Sequence, residues 1–427
     1  MSPKLSALIP YNTKSYSILV AKVVSIVDSA FVTMYHCNMK NTWEHISFRK
    51  TWVLSEKTQN LLGQCYAYVY AMLHIPIRPD FNDELHSVSF NKGALATTAI
   101  EGNTITLEEL AEINSGKNLQ PSREYQQKEV NNVLEAFGTI FKMLVIEKTP
   151  EYVSPELIKR FHEMIGKDIG EAFGGNPGHF RRQNVIVGLT YRPPPFEQVG
   201  GLVQKLCDWL LKEFHYTREQ NFNEAVIEAI VTHIYIAWIH PFMDGNGRTA
   251  RLLEFYLILR AGIPSFASHI LSNHYNETRN IYYRQLEHAT ETGDLSAFIE
   301  YALEGFRDGL EQTLRLIHKN QTEIIWDNYA NDTIEEIGGK NRKTLRRLKH
   351  LAYNIPADRF YSPDEIRILK VEIIEEYGNL NPITLRRDLD LLAEKGLLEV
   401  ENIKYRANHK LLLGLLPEAS AVIKRRY

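Results

Sequence analysis

Apolar residues recur at helical spacing over most of the chain. Residues 54–73 and 126–144 each carry an apolar stripe with steps of three and four residues. A third stretch leads directly into His240, with apolar positions at Val226, Ile230, Ile234 and Ala237. Beyond residue 308 a charged helix precedes a polar break at about 328–340. The pattern predicts a mostly α-helical protein.

One short segment departs from the helical spacing. The run Val185–Val187 is apolar and β-branched, Gly188 begins a turn, and Tyr191–Arg192 can return as a partner strand. Prolines at 193–195 then stop further strand pairing. By pattern alone this segment is an ordinary surface β-hairpin.

The last part of the chain, from about 341 to 427, has the pattern of a separate small domain. Residues 384–395 form an amphipathic helix that ends at Gly396, and 397–400 and 403–405 then predict a short hairpin. A helix followed by a hairpin resembles a winged-helix module, in which 384–395 would be the recognition helix.

Charge does not decide what this domain binds. Residues 331–427 contain 18 Lys and Arg against 15 Asp and Glu. The adjacent Arg386 and Arg387 would attract phosphates, whereas Asp388 and Asp390 would repel them. DNA binding and a role in protein interaction or dimerisation both stay open.

Composition is that of an ordinary globular chain. Hydrophobic residues make up 44% and charged residues 24%, with a net charge of −3, which gives no whole-chain electrostatic case for nucleic acid or membrane binding. Cys37, Cys65 and Cys207 show neither metal-ligand spacing nor a disulfide framework, which suits a reducing compartment. The apolar run at 18–32 is too short and too polar to span a membrane, and no signal peptide is evident. We expect a cytoplasmic protein.

The densest chemistry lies in the twelve residues His240–Arg251, which read HPFMDGNGRTAR. Glycines on both sides of Asn246 permit a tight turn with positive φ, and the helix predicted from Arg248 would place its N-terminal amides and dipole at that turn. Such a turn favours an anion. The segment matches neither the phosphate loop G-x-x-x-x-G-K-[ST] nor a dinucleotide G-x-G-x-x-G after a strand.

The individual residues suit a polyphosphate site. Arg248 and Arg251 are three apart, share a helix face and can hold separate phosphates. Asp244 suits Mg²⁺, which takes few carboxylates when phosphate oxygens are present. His240 can act as a general base, although a histidine before a proline is by itself more typical of a helix end.

Together these residues resemble the Fic family signature H-x-F-x-[DE]-G-N-G-R-x-x-R. Every defined position is present: His240, Phe242, Asp244, Gly245, Asn246, Gly247, Arg248 and Arg251. The resemblance implies transfer of AMP from ATP to a Ser, Thr or Tyr hydroxyl of a protein, with release of pyrophosphate. It assigns His240 as the base, Asp244 as the Mg²⁺ ligand and Phe242 as the apolar anchor of the loop.

The resemblance also assigns the phosphate contacts. Asn246 and the amides of Gly245 and Gly247 would cradle phosphates, Arg248 would contact the β-phosphate and Arg251 the γ-phosphate. Base, metal and cationic clamps suffice for such a reaction, because phosphoryl-type transfer depends mainly on positioning and charge stabilisation.

A second motif precedes the first. Thr97-Thr-Ala-Ile-Glu101-Gly102 matches the Fic inhibitory pattern [ST]-x-x-x-E-[GN], and Thr97 and Glu101 share a helix face. In the family this glutamate binds the second motif arginine, here Arg251, and takes the room of the γ-phosphate. In some members it also positions a water for AMP removal.

Two further features are carried over from the family. The segment Val185, Ile186, Val187 and Gly188 corresponds to the flap, which covers the nucleotide and aligns the target by strand-like pairing. Tyr282 and Tyr283 correspond to a tyrosine pair near the adenine, although aromatic pairs at a helix start are as often plain packing.

These observations divide the chain into four parts. Residues 1–50 stay unassigned, 51–310 form a Fic domain with an inhibitory helix at about 88–103, 311–340 form a helical linker, and 341–427 form the winged-helix-like domain. The expected function is a self-inhibited protein adenylyltransferase that uses ATP and Mg²⁺ and modifies a protein target, including itself.

Two alternatives remain. One is AMP removal supported by Glu101, and the other is a DNA-binding regulator whose Fic domain only senses nucleotide. His240 favours an enzyme, because a sensor needs no base. Fic proteins often form dimers, so a homodimer is a further expectation.

Overall fold

The computed structural model describes residues 43–116, 120–188, 190–214, 221–337 and 341–413. The first helices are α1 (Glu56–His74), α2 (Pro79–Ala99), α3 (Leu107–Asn114), α4 (Glu124–Phe141), α5 (Pro155–Gly166) and α6 (Phe196–Glu213). The central ones are α7 (Asn221–Ile239), α8 (Asn246–Arg260), α9 (Ile270–Glu277), α10 (Arg279–Thr292) and α11 (Ser296–Glu335). The C-terminal elements are α12 (Arg342–Asn354), α13 (Pro363–Arg367), α14 (Val371–Tyr377), α15 (Pro382–Glu394), β1 (Leu398–Glu401), β2 (Lys404–Ala407) and α16 (Lys410–Leu413). The prediction of a mostly α fold is confirmed.

Side-chain caps set several helix starts. Ser55 Oγ accepts the Thr58 amide at the start of α1, and Ser154 Oγ accepts the Leu157 amide at the start of α5. Thr106 and Glu109 form a reciprocal capping box at α3. The helix starts are thus specified locally, before any tertiary contact.

Helices α7 and α8 form the centre of the larger hydrophobic core. Trp238, Ile239 and Leu253 are each at most 1% exposed. Because most positions on every side of α7 are apolar, the helix is stable only when it is enclosed by other helices. Within the described residues, Phe222–Ile239 is the one helix long and apolar enough to cross a membrane, and 78% of that window is buried inside the fold.

Helix α11 connects two cores and corrects one prediction. It runs without interruption through residues 328–335, where a polar break was expected. Trp326, Ala330 and Ile334 recur every four residues and are buried in the second core, so tertiary packing outweighs the local polarity. Ile317 belongs to the first core. Residues 338–340 of the expected break lie outside the described part.

The second core is built from α12 to α16 and the antiparallel pair β1–β2, in which Leu398 is opposite Ala407. Asn402 and Ile403 both have positive φ, as a two-residue hairpin turn requires. The hairpin lies close to where the sequence predicted it. Identification of this region as a winged-helix module stays a prediction.

Asp388 does not face solvent as expected. Its side chain is 2% exposed, pairs with Arg347 at 2.9 Å and accepts a hydrogen bond from the Tyr377 hydroxyl at 3.0 Å. It therefore cannot repel a phosphate from the surface of α15. Arg346 and Lys349 on α12 are likewise paired, with Glu376 and Glu335.

Candidate active site

The loop between α7 and α8 holds the His240 motif in a closed turn. Asn246 Oδ1 accepts the Phe242 amide at 2.8 Å, and Asn246 Nδ2 donates to the Phe242 carbonyl at 2.9 Å. Asn246 is 3% exposed, so this pair of bonds is shielded from water. The asparagine predicted to cradle phosphate thus also fixes the turn.

The two motif glycines have different roles. Gly245 has φ of 75° and precedes the first residue of α8, which begins at Asn246 instead of Arg248. Gly247 lies in the first helical turn. Of the two glycines, Gly245 therefore has the predicted positive φ and Gly247 does not. At Gly247 a Cβ would collide with Glu101 Oε1 and crowd the Arg251 guanidinium, so here glycine permits a close approach.

Phe242 anchors the loop, as predicted for the apolar residue of the motif. It is fully buried and stacks on the His162 ring, with centroids 3.6 Å apart and planes 3° from parallel. His162 Nδ1 accepts the Gly178 amide, so its Nε2 donates to the Asp244 carbonyl at 3.0 Å. Burial lowers the pKa of His162 to about 4, which keeps this tautomer neutral.

Asp244 is the one carboxylate on the loop itself. Its Oδ1 accepts from the Gly245 amide at 2.5 Å and from Arg248 Nη2 at 2.9 Å, whereas Oδ2 receives a single weak bond from Gly174 at 3.3 Å. Burial disfavours the charged form, but Arg248 and the Gly245 amide outweigh it, and the pKa lies below its ordinary value.

The donor set around Asp244 fits Mg²⁺ that arrives with a nucleotide. The side chain is 38% exposed and ionised, and Oδ2 is weakly engaged. Within the described residues, no cluster of three or more His, Cys, Asp or Glu side chains could hold a metal ion. A single carboxylate suits Mg²⁺ that takes its remaining ligands from phosphates and water.

Arg251 is buried and is bound by the segment that carries the second motif. Its Nη2 lies 2.5 Å from Glu101 Oε1 and 2.9 Å from the Thr97 carbonyl oxygen. Arg251 is 1% exposed, whereas the Glu101 side chain is 35% exposed. Burial opposes ionisation of Glu101, yet Arg251 outweighs it and the pKa of Glu101 is lowered. Thr97 contributes its backbone oxygen to this contact.

Arg248 is also bound by a carboxylate, which the sequence analysis missed. It forms an ion pair with Glu129 on α4 in addition to the contact with Asp244. Asn103 Nδ2 donates to Glu129 Oε2 at 2.9 Å, and Asn103 lies two residues after Glu101. The helix-end segment that carries Glu101 is therefore linked to both motif arginines.

His240 lies at the helix end with a left-handed backbone, φ 49°. Burial lowers the pKa of its imidazole to about 4, with Arg181 acting in the same direction, whereas Glu101 and Asp244 oppose the shift. The imidazole is therefore neutral at physiological pH, which is the state that a general base needs.

The predicted hairpin is smaller than expected. Val187 and Tyr191 form a single bridge with N–O distances of 2.8 and 3.3 Å, and Val185 and Ile186 lie outside it. Ile186 is 59% exposed and Gly188 has φ of 59°. The prolines at 193–195 end pairing after one bridge, so the backbone of 185–186 is left without a strand partner in the described chain.

The two tyrosines on α10 point in different directions. Tyr282 is 3% exposed, and its hydroxyl is 2.9 Å from His233 Nε2 inside the core. Tyr283 is 45% exposed and donates to the Ile100 carbonyl at 3.3 Å, close to Glu101. Tyr282 therefore packs in the interior but is close enough to Arg251 to act on its charge, and Tyr283 reaches the backbone next to Glu101 at the surface.

Sequence reasoning found the residues inside the motifs and missed those that hold them. His162, Arg181 and Glu129 are the main omissions. They lie 82, 59 and 119 residues from the motif groups they contact. Of the three, Arg181 is nearest to a predicted element, because it lies four residues before the flap at 185–188.

Comparison with known proteins places this arrangement in a class. Residues 152–258 match the Fic/DOC family. The protein adenylyltransferase fic-1 of Caenorhabditis elegans is 25% identical over 292 residues, which are 66% of this chain and 54% of that protein. The protein adenylyltransferase Fic of Drosophila yakuba is 32% identical over 220 residues, or 52% of this chain and 40% of that protein. The chain thus spans about half the length of these curated relatives.

The fold has a solved counterpart. A Fic family protein from Desulfovibrio desulfuricans aligns over 84% of this chain and 98% of its own, with a TM-score of 0.52 and 18% identity, a likeness that concerns the fold alone. The match to the Fic/DOC family covers residues 152–258, about a quarter of the chain.

Proposed function

We propose that this protein is an adenylyltransferase restrained by Glu101, with ATP as co-substrate and a protein hydroxyl as acceptor. One observation carries the proposal: a neutral His240, an ionised Asp244 and two arginines lie on one loop and helix start, while Glu101 occupies Arg251. The names of the relatives agree with it, since both are protein adenylyltransferases.

The chemistry follows from the placement of these groups. His240 takes the proton from the target hydroxyl as its oxygen attacks the α-phosphorus, and the bond from that phosphorus to the β-phosphate bridging oxygen breaks. Pyrophosphate leaves with the electron pair, and AMP stays on the acceptor. Mg²⁺ held by Asp244 would neutralise phosphate charge. Arg248, the Gly247 amide and Arg251 would orient the β- and γ-phosphates.

The restraint is a competition for Arg251. Its guanidinium is buried, so a γ-phosphate can bind it only after Glu101 leaves. A charge-assisted contact in a water-poor site is strong, and a second anion beside Glu101 would be repelled. ATP would therefore bind weakly or in an unproductive pose.

Replacement of Glu101 with glycine tests the proposal. With Mg²⁺ and ATP labelled at the α-phosphate, Glu101→Gly should incorporate label into itself or into lysate proteins at least tenfold faster than the unaltered chain. Adding His240→Ala should abolish incorporation. Glu108→Gln, an exposed glutamate on α3, is the matched control and should behave like the unaltered chain.

The same experiment distinguishes the alternatives. Label from the γ-phosphate would indicate a kinase and overturn the proposal. Loss of label from a premodified protein, dependent on Glu101, would indicate AMP removal instead. Nucleotide binding without any turnover would indicate a sensor.

We also propose three further properties: DNA contact, a homodimer and a cytoplasmic location. Arg386 and Arg387 are exposed on α15, which supports DNA contact through the C-terminal domain. Fluorescence anisotropy of a labelled DNA duplex tests this by comparing the unaltered chain with the double variant Arg386→Ala, Arg387→Ala. A homodimer and a cytoplasmic location are likewise proposed, and light scattering and cell fractionation test them.

A further inference from the structure

Arg181 is a buried cation that joins three separate segments of the chain. It is 3% exposed, and its side chain donates to three backbone carbonyls. Nε reaches His240 O at 2.8 Å, Nη1 reaches Gln183 O at 3.1 Å, and Nη2 reaches Pro194 O. Its backbone amide also donates to Pro241 O at 2.9 Å. One residue thus contacts the peptide groups on both sides of Pro241.

These contacts hold a strained backbone. His240 has φ of 49°, a region that a non-glycine residue occupies only when its surroundings fix it. The carbonyl that Arg181 Nε holds belongs to His240, so this bond fixes the peptide plane beside the strained residue. The orientation of the His240 imidazole depends on the orientation of that peptide plane.

The other two contacts close the base of the flap. Gln183 and Pro194 lie on either side of the segment that contains the Val187–Tyr191 bridge. Because both carbonyls bind the same guanidinium, the two ends of the flap are held at fixed positions. The planar fork of an arginine can serve several acceptors in this way, whereas a lysine ammonium lacks that geometry.

We propose that Arg181 is a positioning residue that fixes the flap and the His240 backbone as one unit, so that the acceptor hydroxyl and the base meet in register. The inference rests on the proposed transfer reaction. Positioning errors of about 1 Å at such a site cost on the order of 100-fold in rate. Arg181 is 3% exposed and Nε, Nη1 and Nη2 each donate to a backbone carbonyl, so the proposed role is to position other groups and not to bind the nucleotide.

A set of variants in the Glu101→Gly background tests this. Arg181→Met removes the fork and the charge, Arg181→Lys keeps the charge without the fork, and Arg182→Met alters the neighbouring exposed arginine as a matched control. We expect kcat for self-modification to fall about 100-fold in Arg181→Met, with KM for ATP within threefold. Arg181→Lys should recover part of kcat, and Arg182→Met should leave both parameters unchanged.

A readout without turnover keeps the test independent of the reaction. NMR titration of ¹⁵N-labelled histidines, with His240 assigned by its absence in His240→Gln, reports the imidazole directly. The charged groups that act on His240 are Arg181, which disfavours the imidazolium, and Glu101 and Asp244, which favour it. Arg181→Met should therefore raise the His240 pKa, whereas Arg181→Lys and Arg182→Met should leave it in place.

The outcomes separate the two claims. If Glu101→Gly itself transfers no AMP, the proposed function fails, and the NMR titration still decides whether Arg181 acts on His240. If Arg181→Met keeps full kcat, or leaves the His240 resonance and its pKa unmoved, the positioning role is wrong. Loss of ATP binding and of kcat together, with an early melting transition in both Arg181 variants, would assign Arg181 to general stability and also overturn it.

Discussion

Glu129 on α4 forms an ion pair with Arg248 on α8, and both side chains are largely buried, at 13% and 3% exposure. Together with the Glu101–Arg251 pair, this contact leaves both motif arginines bound to carboxylates. Under the proposed function, each arginine would exchange a protein carboxylate for a phosphate on nucleotide binding. Asn103 contacts Glu129 and follows Glu101 closely, so the two exchanges are structurally linked.

Removal of the Glu129 charge should ease nucleotide binding. In Glu129→Gln the amide keeps the shape and the contact with Asn103, while Arg248 loses one of its two carboxylate partners and keeps Asp244. We expect ATP affinity, measured by calorimetry with Mg²⁺, to rise about tenfold, equal to about 1.4 kcal/mol. The effect should be smaller for AMP, because a monophosphate does not reach the β-phosphate contact.

Glu135→Gln provides the control for this prediction. Glu135 lies on the same helix, is 66% exposed and pairs only at 3.5 Å with Lys167. Exposed pairs of this kind contribute little. A drop in ATP affinity in Glu129→Gln would mean that Glu129 holds Arg248 in its productive position.

The pH dependence of the transfer should be flat through the neutral range. The pKa of His240 is lowered to about 4, so the base is neutral and competent well above that value and loses activity as the pH falls towards it. In Glu101→Gly, the rate should form a plateau from about pH 6 to 8 and decline below about pH 5. The missing Glu101 carboxylate no longer favours the imidazolium, which moves the decline to lower pH. Initial rates measured in constant-ionic-strength buffers check this, and a midpoint near 6.5 would contradict the burial argument.

The Glu101–Arg251 contact should persist over the same pH range. The pKa of Glu101 lies below its ordinary value, so its ion pair with Arg251 is fully present above the unfolded carboxyl pKa and is lost only as the pH falls through the lowered one. Physiological acidification therefore does not release Glu101.

Asp244→Asn should separate metal binding from loop structure. The amide oxygen can still accept from the Gly245 amide, so the turn survives. The lost charge should reduce Mg²⁺-dependent transfer by Glu101→Gly about 100-fold, a scale typical for loss of one electrostatic contact in an active site. ATP affinity measured in EDTA should change by less than threefold. A variant that keeps full Mg²⁺-dependent activity would show that Asp244 is not the ligand.

Local sequence identified the chemistry but not its supports. The glycines, Asp244 and the arginines lie within twelve residues, where spacing determines geometry directly. The motif is also contacted from distant positions in the sequence, by Glu129, His162 and Arg181. The sequence around such a residue does not show which partner it contacts. The same limit explains Asp388, which was predicted to repel phosphates and which Arg347 and Tyr377 enclose instead. Residues 328–335 continued as helix because Ala330 and Ile334 pack in the second core.

The buried carboxylate of the C-terminal domain supports a stability prediction. Asp388→Ala would leave Arg347 without its partner and the Tyr377 hydroxyl without an acceptor, both at sites with little solvent contact. Breaking one side of a buried pair costs about 3–5 kcal/mol, so the C-terminal core should unfold at a clearly lower urea concentration. Trp326 is buried in that core and its fluorescence can follow the transition.

Glu394→Gln serves as the matched control, since Glu394 is exposed at the end of the same helix. It should change the free energy of unfolding by less than about 0.5 kcal/mol, as expected for a surface substitution. Because Asp388 and the Fic site belong to different cores, ATP binding by Asp388→Ala should stay unchanged below its transition. An unaltered urea midpoint for Asp388→Ala would show that water replaces the lost contacts and that the carboxylate adds no net stability.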